Sequence, residues 1–178
     1  MKNIKTKLES RIKNQESGRR RLFFHASFFL FLASPVSAGT LSFIRDTIGT
    51  SAPSLPATHE IMFTVANAVP PGGKIVITPQ SGAFIIPAAL NFLDADLAIA
   101  TSSIYTDRSL AATPSAGSDG VSSVSGSSGQ MVFTLNSTTG INAGEKVQIE
   151  IGNNATFAAT GTNFIINPTP VGSYTIGV

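Results

Sequence analysis

The chain has 178 residues, 42% of them hydrophobic and 12% charged, with no Cys and no Trp. Its net charge of +2 is unevenly spread: eight of the 12 Lys and Arg precede residue 22, and residues 39–178 keep four (Arg45, Lys74, Arg108, Lys146) against eight acids, a net −4. That acidic body lacks the phosphate-neutralising charge on which nucleic-acid binding rests, which excludes DNA or RNA as a partner, and without cysteine it must be held by core burial rather than disulfides.

The first element in the chain is a leader. A basic stretch ending at Arg19-Arg20-Arg21 precedes an apolar run over residues 22–33, and Val36-Ser37-Ala38 supplies the small residues of a cleavage site before Gly39. These are the three parts of a secretory signal peptide. The apolar run is too short to span a bilayer, which takes about 20 such residues, and Pro35 breaks it. Residues 1–38 therefore read as a helical signal with cleavage between Ala38 and Gly39. Residues 39–178 read as one domain, exported and cell-surface associated, touching a membrane only through the signal before cleavage.

Beyond Gly39 the residues alternate with a period of two, the mark of half-buried strands. Strands are predicted at 60–65 (Ile61, Phe63 and Val65 on one face), 74–78 (Ile75, Ile77), 130–135 (Met131, Phe133, Leu135), 146–151 (Val147, Ile149, Ile151) and 173–178 (Tyr174, Ile176, Val178). Shorter ones are expected at 41–46, 95–100, 109–112, 120–124 and 164–166. Pro70-Pro71-Gly72-Gly73, the 125–129 segment and Asn142-Ala143-Gly144 are turns, and 82–93 is an irregular crossover with room for one helical turn. Eight to ten such strands predict an all-β fold, an antiparallel sandwich of Greek-key type.

Several stretches resemble a repeated immunoglobulin-like β-sandwich module of uncharacterised, largely environmental bacterial surface proteins. They are Asp46-Thr47-Ile48 with Ser51-Ala52-Pro53-Ser54, Thr58-His59-Glu60-Ile61, Phe92-Leu93-Asp94-Ala95-Asp96-Leu97, residues 143–156, Ile166-Asn167-Pro168 and Gly172-Ser173-Tyr174. The resemblance runs from about residue 41 to 178. It implies an immunoglobulin-like sandwich outside the cell, commonly one module of a longer polypeptide, and it transfers no catalytic residue.

Chemistry-bearing residues are few. His59 is the only histidine beyond the leader, at the start of a predicted strand with no nucleophile elbow near it, so it reads as a hydrogen-bonding residue rather than a catalytic base. A hydrolase would need a pocket at His59 lined by a serine and an acid. Asp94 and Asp96 form the best metal candidate, for calcium. Spaced i and i+2, they read equally as the solvent face of a strand. Asp107, Asp119 and Tyr105 fall in predicted loops, where they suit a calcium or glycan site. Asn136-Ser137-Thr138 and Asn154-Ala155-Thr156 match the glycosylation sequon. The expectation is a non-enzymatic structural or adhesive module without a cofactor. Its partners would be other surface proteins or copies of itself, with residues 41–48 a candidate for strand exchange; the alternative is a ligand-binding module for glycan or calcium at its end loops.

Overall fold

The computed structural model describes residues 39–178; the predicted leader lies outside the described residues. Two five-stranded sheets are present. The first runs β1 (Leu41–Ile48), β3 (His59–Val65), β10 (Lys146–Ile151), β5 (Ala95–Ala100) and β6 (Thr106–Asp107), and all its pairs are antiparallel. The second runs β12 (Ile176–Gly177), β4 (Lys74–Pro79), β9 (Gln130–Thr134), β8 (Asp119–Val124) and β7 (Leu110–Ala111), with β7 parallel to β8. A two-stranded ribbon pairs β2 (Pro56–Ala57) with β11 (Ile165–Ile166), and a 3-10 turn at Phe92–Asp94 leads into β5. Among the described residues there is no α-helix, so the all-β expectation holds in a sandwich-like form.

The core follows from the alternation. Ile61, Phe63, Leu97, Val147 and Ile149 of the first sheet join Ile75, Ile77, Val121, Met131 and Phe133 of the second in one buried cluster. Every member of that cluster lies between residues 61 and 165. The β3–β10–β5 register sets these residues on one face: Val147 stands between Phe63 and Ile99, and Ile149 between Ile61 and Leu97. Tyr174, Ile176 and Val178 pack on the cluster while staying half-buried. Register is therefore fixed by burial of one face of each sheet, since a one-residue slip would turn every apolar side chain outward.

Turn chemistry acts where it was expected. In Pro70-Pro71-Gly72-Gly73 the amide of Gly73 donates to Pro70 O at 2.8 Å, and Gly72 has φ 74°, a region glycine enters without steric cost. In the 142–145 turn, Asn142 O accepts from Glu145 N while a Glu145 carboxylate oxygen accepts from Asn142 N.

Candidate functional site

The two sheets part where β1 and β12 form their edges. Between them lies a cavity of about 510 Å³, walled by Ile44 and Ile48 of β1, Phe84 of the crossover, Tyr174, and Ile176 of β12. Its remaining rim is the 168–172 segment, where Val171 is 90% exposed and marks the mouth. Residues 50–55, which close the side, are tied down by Asn167: its amide nitrogen donates to Thr50 O at 2.7 Å and Ala52 O at 3.1 Å.

His59 lines this cavity at the start of β3. Its Nδ1 stands 2.9 Å from Asp46 Oδ2, a carboxylate on the neighbouring β1 that also lines the cavity. The register explains the meeting: His59 pairs with Ile48, so Asp46, two residues along, is its diagonal neighbour on the same face. The ring edge rests on Phe84 (centroids 6.3 Å, interplanar angle 69°), and Phe84 meets Tyr174 in the same way at 5.9 Å. Tyr174 is held by its hydroxyl, which donates to Pro170 O at 2.7 Å. The Nε2 of His59 is buried and, among the described residues, has no hydrogen-bond partner.

Ser51 lines the same cavity, so a serine, a histidine and an acid do meet in one place. Composition alone does not make a triad, because a nucleophile must lie within hydrogen-bond reach of its base. Among the described residues Ser51 makes no hydrogen bond to the ring, and His59 is 0% exposed. The sequence identified His59 as a hydrogen-bonding residue; its partner Asp46 carried no signal of its own.

Asp94 and Asp96 are not a solvent face. Asp94, in the 3-10 turn, is 2% exposed, and its Oδ1 accepts from the amides of Thr162 and Asn163 at 2.9 and 3.0 Å. Its Oδ2 accepts from Asn91 N, closing a capping box with Asn91. Asp96, 5% exposed, accepts from Thr156 N and Phe157 N at 2.6 and 2.8 Å. Both carboxylates thus pin the 152–163 segment over the outer face of the first sheet. Among the described residues no group of three or more His, Cys, Asp or Glu is placed to hold a metal ion.

Burial acts to raise the Asp94 pKa, but the amides of Thr162, Asn163 and Asn91, with the Asn163 side chain, outweigh it and hold the carboxyl below its ordinary 3.8. A depressed folded pKa means stabilisation that is present above 3.8 and lost as pH falls through the lowered value. Asp94→Asn is therefore expected to flatten the acid limb of the stability–pH curve, measured by circular dichroism. An unchanged limb would remove Asp94 from the acid response.

The same outer face carries a row of carboxylates: Glu60 pairs across to Glu150, and Glu150 to Asp96. Burial first, then Asp96, Glu60 and Asp107, push the Glu150 carboxyl upward. Here the sign is opposite, and the contribution to stability fades as pH rises through the folded pKa.

The remaining candidates scatter. Asp107 lies in β6, exposed, and Tyr105 is half-buried just before it. Asp119 starts β8 with no solvent exposure, its carboxylate on Arg108. Both sequon asparagines spend their side-chain amides internally, Asn136 on Asp119 and Asn154 on His59 O. No protein-family model matches the chain, and no curated protein matches it.

Proposed function

We propose that residues 39–178 serve as a non-enzymatic structural or adhesive module of a secreted, cell-surface bacterial protein. In this reading the strands have an immunoglobulin-like, Greek-key arrangement and the leader is removed at Ala38–Gly39. The observation that carries it is the outer surface at β1. This strand has β3 on one side and stands at the sheet's edge on the other. Phe43 is 88% exposed there, beside a second depression of about 380 Å³ lined with Met62 and Tyr105 and flanked by Arg45 and Lys146.

An exposed aromatic with a basic rim is the composition of a protein-contact patch. Phe43 also holds φ 53° at the point where the β1–β3 register shifts. Such backbone strain in a non-glycine residue costs about 1–3 kcal/mol and persists where the surroundings enforce it. An edge strand can accept another strand, whether from a copy or from another surface protein. Strand β1 lies on its own β3, and residues 50–55 are anchored by Asn167, so edge contact is favoured over exchange of β1.

The test is light scattering on residues 39–178, which contain the buried cluster described above, across concentration and with and without calcium. Dimers or polymers that disappear in Phe43→Ser are expected. A calcium-indifferent monomer at every concentration would replace self-assembly with docking on a different protein. The cavity at His59 favours a ligand-binding reading alongside this one.

A further inference from the structure

We propose that the cavity between β1 and β12 is a binding site for a small apolar organic cation, an amine carried on an aryl or alkyl body. The inference stands apart from self-assembly, whose surface is the outer side of β1. At about 510 Å³ the cavity has the size of small-molecule sites. Its walls suit an apolar body: Ile44, Ile48, Pro53 and Ile176 with the aromatic pair Phe84 and Tyr174.

Its polar groups choose the charge. Among the described residues no Lys or Arg lines the cavity, and Asp46 does, its side chain 22% exposed. Only Asp46 Oδ2 is engaged, by His59, leaving Oδ1 to accept from a ligand. A carboxylate with no Lys or Arg beside it repels an anionic ligand and welcomes an ammonium, for which the aromatic rings add cation–π attraction. The Asp46–His59 contact also holds the carboxylate in place before a ligand arrives, so little ordering is left for binding to do.

The chemistry is shared by a free amine and by a lysine side chain on a docked protein, and the experiment separates them. Residues 39–178 are titrated by calorimetry with 2-phenylethylamine, 2-phenylethanol, phenylacetate and Nα-acetyl-lysine amide. Amide NMR shifts locate any binding at Ile44–Ile48 and Tyr174–Ile176. Expected is binding of 2-phenylethylamine about tenfold or more tighter than the alcohol, as a charged hydrogen bond implies, with no binding of phenylacetate. Asp46→Asn is expected to erase the preference for the amine over the alcohol. Should that variant fold poorly, Ile44→Lys, at a 56% exposed position, sets a competing cation at the mouth and is expected to lower amine affinity by a similar factor. Binding of the capped lysine in preference to the free amine assigns the site to a partner's side chain. Failure of both amines to bind, or equal binding of phenylacetate, overturns the proposal.

Discussion

Asp119→Ala is expected to destabilise the fold by about 3–5 kcal/mol, the cost of leaving a buried charge without its partner. Asp119 has no exposure; an Nη of Arg108 donates to its Oδ1 at 2.9 Å, and Nε stands 2.6 Å from Oδ2 as an ionic contact without hydrogen-bond geometry. The other donors on Oδ1 are the backbone and side-chain nitrogens of Asn136, at 2.6 and 3.0 Å. Asn136 in turn accepts from the amides of Thr138 and Thr139, and Arg108 donates to Thr139 O and Gly140 O. One carboxylate therefore fixes the start of β8, the 136–140 turn and the chain just after β6. Urea unfolding of the variant measures the loss. The double variant Arg108→Met/Asp119→Leu is expected to recover most of it, because a buried pair replaced on both sides by apolar groups is close to neutral. A double variant as unstable as the single one would show that the hydrogen bonds to Asn136, rather than the charge pairing, set the cost.

Phe133→Ala is expected to cost a comparable 3–5 kcal/mol, the usual loss for deleting a fully buried aromatic side chain. Phe133 has no exposure and sits in β9, the middle strand of the second sheet. It faces Ile75 on one neighbour and Val121 on the other. Strands on both sides hold the backbone in place, so the space left cannot collapse. A loss below about 1.5 kcal/mol, the range of volume-conserving swaps, would mean that the two sheets close over the gap.

The strands that build the core were legible because both their faces are marked. Lys146–Ile151 and Ala95–Ala100 coincide with the predicted bounds, and Met131, Phe133 and Leu135 all reach zero exposure as their spacing implied. Two short elements, Pro56–Ala57 and Thr106–Asp107, were missed, whereas the equally short Leu110–Ala111 and Ile165–Ile166 fall inside the predicted 109–112 and 164–166. The C-terminal strand shrinks from 173–178 to Ile176–Gly177, because its alternation reflects packing on the core more than ladder pairing.

Polar residues misled for a different reason. Asp94 and Asp96 read as solvent-facing because period two speaks only of the strand itself, and what covers them is the 152–163 segment, which has no strand pattern. Likewise Asp119 reads as a loop acid until Arg108, 11 positions away, is folded against it. The cavity residues come from β1, β3, the crossover and the C-terminus, so no local stretch announced them.

The strand order of the first sheet has a consequence for synthesis. Its central partners, β3 and β10, come from residues 59–65 and 146–151, and β5 joins the sheet only through β10. A chain emerging N-terminus first therefore pairs β3 with β1 long before its second neighbour, β10, exists. Closure of the sheet waits for residue 151, and such distant pairings are slow to form. Until then Ile61, Phe63 and Leu97 lack their β10 neighbours Val147 and Ile149, and such exposed apolar surface and unpaired strand edge are what holding chaperones cover.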